Sequence, residues 1–538
     1  MTKKIALYVL TIFITLSAAA QPIDPNKPRL VVNIIVSGMR SVDLERYQSN
    51  VGLGGLRLLY EEGLRYDNCQ YSYQQTTTPV SLSTLATGAQ PSTHGVVGES
   101  WFDYVTNEKV DLIFDSAAKN FEYPLPEGGY SALNLFVPTL SEALLIDSPR
   151  SQSVTVALDP VSSIMLAGNA GTPFWFDEYT CNWASSSAYM TQLPQWAMDY
   201  NHSDADVELT ATKWSMSFHS DLYVNSRYQN NTGGYILGNA VKINRNENRR
   251  ERLAKYYKQI SSTPIGNDIV ASFASLAVAS MKLGGDEYVD ILNVCFDASR
   301  NIVERYGPES IEAEDMYYKI DRTIAELIKF IDSQVKDGSV VYLLTSDHGT
   351  SPTVDVESSR FNSRQFEVIL NGFLSVRYGS DNWVLACENG AVYLNHNAVY
   401  KKNLTLSEVQ SEAATFALQL QGVSHAITST TLSSSYFGNG YAQKIQSGFY
   451  PRRSGDVILN FMPNWIERDV DRVSQSGSMY NYDRAVPLVI YGRGVPAKVV
   501  SRSVDAVSVA PTLAAIMGIS EPAASEGRPL EELTNRNE

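Results

Sequence analysis

Histidine is scarce in this chain: there are six in 538 residues, and none between His219 and His348. A metal site along that stretch would have to draw on carboxylates, amides and hydroxyls. Cysteine is no better supplied. Cys69, Cys181, Cys295 and Cys387 lie far apart, with no CxxC spacing and no Cys/His cluster, which excludes a zinc ribbon. Four cysteines allow three disulfide pairings, and spacing chooses none of them. Cys295 stands inside an apolar run and is expected as a buried thiol. A basic stripe is missing as well. Lys and Arg number 43 against 58 Asp and Glu, a formal net charge of −15, so nucleic acid is not expected as a partner. No G-x-S-x-G elbow is present, which removes a serine-hydrolase reading. Beyond the N-terminus no segment reads as long and apolar enough to span a bilayer, and there are no internal repeats.

What is present begins with a leader pattern. Lys3 and Lys4 precede the apolar run Ile5 to Leu16, and Ser17-Ala18-Ala19-Ala20 follow. Residues 1–20 therefore read as a cleavable signal peptide with Gln21 as the mature start; the apolar run is too short for a membrane anchor. The mature chain, 21–538, is expected to be a periplasmic or secreted protein with no transmembrane segment. Short apolar, β-branched runs from Arg29 to Val36, Ser153 to Leu158, Tyr288 to Phe296, Ser339 to Thr345 and Val486 to Tyr491 read as buried parallel strands. Helical patterns lie between them. From Glu312 to Val335, for instance, Ile320, Ile324, Leu327, Ile328 and Ile331 share one face. This alternation predicts an α/β fold, a mostly parallel sheet flanked by helices on both faces. Two stretches, about 167–263 and 361–445, have weaker periodicity and read as inserted cap segments, the second with a helix from Leu406 to Leu420. Tyr71, Tyr73, Tyr179, Tyr189 and Tyr200 suit either a carbohydrate- or protein-binding surface or packing under the insertions, and packing is the favoured reading. His202, His219, His396 and His425 lack ligand spacing and are assigned ordinary hydrogen-bonded or surface roles.

In open α/β sheets, sites form beyond the carboxyl ends of the strands. Those ends read Ile34-Ile35-Val36-Ser37-Gly38, Val294-Cys295-Phe296-Asp297 and Leu344-Thr345-Ser346-Asp347-His348-Gly349. Two of the three deliver a carboxylate to one edge, and Asp347 beside His348 is a metal half-site by donor type.

Further blocks extend the pattern: Met39-Arg40, Thr76-Thr77-Thr78-Pro79 with Thr87-Gly88, His94-Gly95-Val96-Val97-Gly98 with Trp101-Phe102-Asp103, Arg453-Ser454-Gly455-Asp456-Val457, and Tyr480-Asn481-Tyr482-Asp483 with Val486-Pro487-Leu488. In order and spacing, over essentially the whole mature chain, the sequence resembles the alkaline phosphatase superfamily. The resemblance is to the phosphate-irrepressible, Thr-nucleophile alkaline phosphatases, close to the type I phosphodiesterase/nucleotide pyrophosphatase branch. It implies two metal ions roughly 4 Å apart and a Thr alkoxide that forms a phosphoenzyme. Counting back from Gly88 puts the nucleophile position at Thr78. For one ion the resemblance implies Asp347, His348, Thr78 and the residue ending the first strand, here Ser37. For the other it implies Asp297, a histidine four residues on, here Asn301, and a distant histidine, here Ser476. The stretch from Asp297 to Gly307-Pro308 reads as a loop longer than the family pattern.

The implied phosphate contacts differ too. Glu99 stands at an Asn position, and Asp159 and Val161 at Lys and Arg positions. Carboxylates facing a phosphate dianion repel it. The expectation is therefore an exported phosphatase-fold protein with impaired catalysis (a pseudophosphatase), acting as an envelope binding, scaffold or accessory protein for an unnamed envelope protein or small ligand. It is expected to hold no cofactor, or at most one divalent cation. Zinc, magnesium, manganese and calcium are the candidates, the last three favoured if Glu99 and Asp159 join Asp297, Asp347 and His348 in a rearranged site. The alternative is a metal-dependent phosphomonoesterase or phosphodiesterase with Thr78 as nucleophile.

Overall fold

The computed structural model describes residues 27–106, 108–203, 214–225, 248–354, 359–467 and 471–534. The leader at 1–20 and part of the 167–263 stretch lie outside the described residues.

A ten-stranded sheet forms the centre. Its order is Lys498–Val500, Leu64–Gln70, Ala485–Gly492, Val340–Thr345, Leu30–Val36, Asp290–Phe296, Ser153–Ala157, Thr172–Phe176 and Trp183–Ala184, with Val504–Asp505 also pairing with Leu64–Gln70. Its middle is parallel: Leu30–Val36 pairs in parallel with both Val340–Thr345 and Asp290–Phe296, and the latter with Ser153–Ala157. Alternate residues of Leu30–Val36 serve two cores. Leu30, Val32, Ile34 and Val36 pack with helices Pro264–Met281 and Ile311–Gln334, whereas Val31 and Ile35 pack with helices Thr78–Thr87, Pro160–Ala167 and Val509–Met517. Both faces being covered explains why these strands read as unbroken apolar runs.

Several expectations need correction. Ala485–Gly492 runs antiparallel to Val340–Thr345 and to Leu64–Gln70; a strand buried on both faces looks alike in either direction. Thr172–Phe176, assigned to an inserted cap, joins the central sheet in parallel with Ser153–Ala157. The expected loop after Asp297 is the helix Asp297–Tyr306, which buries Ala298, Ile302, Val303 and Tyr306. The helix Pro264–Met281 has 18 residues of mean hydropathy 1.2, so one segment does reach the length and composition of a membrane span. Here it is a core helix, with Ile269, Val270, Phe273 and Ala274 buried in the first of the two cores.

The 361–445 stretch builds a satellite with its own apolar core. Strands Val384–Glu388, Ala391–Leu394, Val457–Phe461 and Val423–Thr428 form a four-stranded antiparallel sheet, in that order. Helices Ser363–Tyr378 and Leu406–Ala417 cover it through Phe366, Leu370, Val409 and Ala413. No disulfide joins the four cysteines, and Cys295 is buried as expected. Tyr71 and Tyr73 are fully buried; Tyr179, Tyr189 and Tyr200 are half-buried.

Because Val36 is opposite Phe296, and Ile35 opposite Thr345 and Cys295, the residues that follow these strands converge on one edge. Gly38 makes the first turn there. Its φ of +80° is a left-handed conformation that side chains disfavour. A β-carbon at this position would lie 3.0 Å from Val303 Cγ2 and 3.1 Å from Arg300 Cα. Gly38→Ala is expected to cost about 1–3 kcal/mol of stability, measured as a lower denaturant midpoint. An unchanged midpoint would show that the turn relaxes without strain.

Candidate active site at the sheet edge

Asp347 follows Val340–Thr345 and is completely buried. Its Oδ1 accepts from the backbone N–H groups of Gly38 at 3.1 Å and His348 at 2.9 Å, and its Oδ2 accepts from Ser37 Oγ at 2.7 Å. Ser37, at a position where the resemblance implies a metal-binding carboxylate, thus acts as a donor to the neighbouring carboxylate. Burial works to raise the Asp347 pKa, but His348, Arg300 and hydrogen bonds from Ser37 and Thr78 outweigh it and hold the group below its usual value.

His348 is also fully buried. Its Nδ1 lies 2.6 Å from Gly349 O, an acceptor that makes Nδ1 the donor. Its Nε2 faces Thr78 Oγ1 at 3.1 Å, Asp347 Oδ2 at 3.3 Å and, at 3.5 Å, Ser476 Oγ. Thr78 begins the helix Thr78–Thr87, with Thr77 at the N-cap position making no side-chain cap bond and Pro79 in the first turn, where proline's missing N–H costs nothing. The structure thus brings Thr78, Asp347, His348, Ser37 and Ser476 together at one edge.

Asp297 is used differently. Its Oδ2 accepts from the backbone N–H groups of Leu158 at 3.0 Å and Asp159 at 3.1 Å, and its Oδ1 accepts from Ser162 Oγ at 2.6 Å. Burial raises its pKa, Arg300 opposes this and Asp159 adds to it. Asn301 turns away from the edge, donating from Nδ2 to Ser261 O at 2.9 Å. Val161 is half-buried and packs at the margin of the second core. Asp159 caps the helix Pro160–Ala167 by accepting from Val161 N at 2.9 Å.

The residue that links these groups was absent from the sequence reading. Arg300 donates to Thr78 Oγ1 through one guanidinium nitrogen and to Asp159 Oδ2 at 3.2 Å through another. Its side chain is only 13% exposed. Burial opposes its charge, yet Asp159, Asp297, Glu304 and Asp347 surround it and hold its pKa well above the usual arginine value. On Asp297–Tyr306, residues three and four apart share a face, so spacing alone puts both Arg300 and Asn301 beside Asp297; the structure gives Arg300 to Thr78 and Asp159 and Asn301 to Ser261 O.

A cavity of about 340 Å³ opens over Thr78, Arg300 and Ser476. Glu99 lines it, solvent-exposed yet walled by protein. The wall's desolvation raises its pKa, as does Asp159, against Arg300 and Arg472. Among the described residues no three His, Cys, Asp or Glu side chains gather as a metal-ligand set. The site offers Asp347 and His348 with neighbouring hydroxyls, Asp297 already saturated by N–H and O–H donors, and a guanidinium bonded to the nucleophile position. Structural and catalytic zinc sites use three or four protein ligands, so this donor set falls short of a pair of divalent ions.

With fold and site geometry in hand, kinship can be assigned. The family model for type I phosphodiesterase/nucleotide pyrophosphatase matches residues 31–469, and the chain belongs to that family. It is similar to alkaline phosphatase PafA of Elizabethkingia meningoseptica, at 27% identity over 522 residues and 95% of each chain. It is also similar to alkaline phosphatase PhoV of Synechococcus elongatus, at 24% identity over 518 residues, 94% of this chain and 93% of PhoV. The crystal structure of wild-type PafA superposes with a TM-score of 0.86 at 25% identity, covering 94% of this chain and 99% of PafA. The alkaline-phosphatase-like fold and the mostly parallel sheet expected from sequence stand.

Asp483 borders the same cavity. Its Oδ2 accepts from Ser478 N at 2.7 Å, its Oδ1 has no hydrogen-bond partner, and burial pushes its pKa up to about 8. A carboxyl whose folded pKa lies above its unfolded value of about 4 stabilises the fold when protonated. That contribution is full at acid pH and is lost as pH rises through about 8. Asp483→Asn is therefore expected to flatten the fall in stability between pH 5 and pH 9 (roughly that window, by linkage). Parallel pH profiles for variant and parent would contradict this.

Proposed function

We propose that this exported member of the family binds through its cleft instead of turning over phosphate esters, with the Arg300 guanidinium supplying the positive charge that relatives' metal ions would supply. The observation that carries this reading is the placement of Arg300, bonded at once to Thr78 Oγ1 and Asp159 and ringed by Asp297, Asp347 and Glu304. A hydroxyl accepting from a guanidinium is stabilised in place, and the cation's charge is spent on carboxylates already present. Support also comes from Glu99 and Asp159 at positions where the resemblance implies phosphate contacts: an incoming phosphate dianion meets like charge there. The leader pattern at residues 1–20 supports export.

A second reading has its own support. The relatives are named alkaline phosphatases, and that kinship favours a metal-dependent phosphoesterase with Thr78 as nucleophile more than it favours an impaired enzyme. Asp347 and His348, adjoining Thr78, are the residues that would hold a divalent cation in that case.

Hydrolysis of p-nitrophenyl phosphate and of its bis-ester, with and without added zinc, separates the two. No turnover above that of Thr78→Ala is expected. Zinc-dependent turnover that disappears in Thr78→Ala would establish the second reading. Arg300→Ala supplies a companion test. Removing the cation leaves buried carboxylates unpaired and is expected to cost about 3 kcal/mol, with added divalent cations restoring part of the loss. If the variant is as stable as its parent, Arg300 is not the counter-charge of the site.

A further inference from the structure

The satellite contributes the tip of a hairpin to the wall of the cleft. Strands Val384–Glu388 and Ala391–Leu394 are joined by Asn389 and Gly390. Their φ angles of +54° and +69° are those of a tight two-residue hairpin turn. Glu388, Asn389 and Gly390 line the cavity together with Thr78, Arg300 and Ser476, and Val384–Glu388 is the outermost strand of its sheet. On the satellite side the tip is held by Glu467, which accepts from the N–H groups of Asn389 at 3.2 Å and Gly390 at 3.3 Å and from Ser363 Oγ at 2.7 Å. On the core side two contacts reach it. Lys109, from the strand Glu108–Asp111, meets Glu388 at 2.6 Å. Gln75, three residues before Thr78, donates from Nε2 to Asn389 O at 3.0 Å. It does so from a left-handed backbone, φ +66°, which a glutamine disfavours. Strain of that kind persists where neighbouring contacts hold it, and it gathers at clamps and switch segments.

These two contacts differ in kind from those that fix the body of the satellite. The body is joined to the core by Gln74 Nε2, which donates to Leu459 O at 2.9 Å, and by Tyr104 OH, which donates to Asp456 Oδ2 at 2.8 Å. Gln74 and Asp456 are both buried. By contrast, the side chains of Lys109 and Glu388 are 57% and 28% exposed, and the bond from Gln75 to Asn389 faces solvent. An exposed ion pair contributes little stability and is screened by salt. Segments held by solvent-exposed bonds open more readily than those held by buried ones.

We infer that the Asn389-Gly390 tip is a gate on the cleft, closed in this structure by Gln75 and Lys109, which moves with its strand pair while the body of the satellite stays docked. The gate controls passage to Thr78 and Arg300. It stands under either reading of what the cleft does, since binding and turnover both need entry.

The test is the labelling rate of a reporter thiol inside the cleft. Ser476→Cys places a thiol on the lining, and the full mature chain carrying it is reacted with N-ethylmaleimide beside the parent chain, whose own cysteines set the background. Gln75→Ala and Glu388→Gln are then added to the reporter chain. Each is expected to raise the labelling rate severalfold and the two together about tenfold, as loss of a hydrogen bond and an exposed ion pair implies. Lys109→Met breaks the same ion pair from the other side and should match Glu388→Gln. Raising salt from about 0.05 M to about 0.5 M should quicken labelling of the reporter chain and leave the Glu388→Gln form unchanged. Equal rates in the reporter chain and its variants would overturn the gate. So would a rise shared by the buried native thiols Cys69, Cys295 and Cys387, which marks general loosening of the fold.

Discussion

The arrangement at the sheet edge depends on one buried guanidinium among carboxylates. A parallel sheet that ends Val36, Phe296 and Thr345 side by side gathers Asp297 and Asp347 at one place, and Asp159 follows from the next strand. Unpaired, such carboxylates would repel each other in a site from which water is largely excluded, at a cost of several kcal/mol. In metal-dependent hydrolases divalent ions supply the compensating charge. Here Arg300 reaches the same neighbourhood from the first turn of Asp297–Tyr306, bonds Thr78 and Asp159, and lets Asp297 spend its oxygens on backbone N–H groups and Ser162. The hydroxyls of Ser37 and Ser476 fit that arrangement, since neither adds a further negative charge.

The consequence extends into the cleft. Arg300, Lys109 and Arg472 are each committed to a carboxylate, which leaves no spare cation for a phosphate group among the described residues of the lining. The scaffold retained from the family and the ligand chemistry of the cavity thus diverge. Kinship speaks for phosphoester hydrolysis, and the local charge balance, with its cations already paired, speaks against a phosphate ligand.

Much of this was legible in the sequence. Unbroken apolar runs announced five strands of the sheet to within a residue or two, because burial on both faces leaves no alternation to misread, whereas Leu64–Gln70, only partly buried along its length, was not read as a strand. Strand direction was not legible for Ala485–Gly492, since side-chain pattern does not encode it. Thr172–Phe176 was missed because its aromatic residues sit in a Trp- and Tyr-rich stretch whose periodicity is weak. Asp347 and His348 were read at a strand end, and the family resemblance implied Thr78, Ser37 and Ser476; the structure brings these residues together. Arg300 was not legible because a helix of 3.6 residues per turn puts both Arg300 and Asn301 near Asp297, and only the side-chain partners show that Arg300 turns to Thr78 and Asn301 to Ser261 O.

The central claim, that Arg300 has taken over the charge of the metal pair, is tested most directly by metal content. The full mature chain would be incubated with zinc, magnesium and manganese, freed of loosely held ions and analysed by plasma mass spectrometry. The account predicts a metal content near zero per chain. One or more tightly held ions per chain, released on Asp347→Ala, would contradict it and return Thr78 to the role of a metal-activated nucleophile.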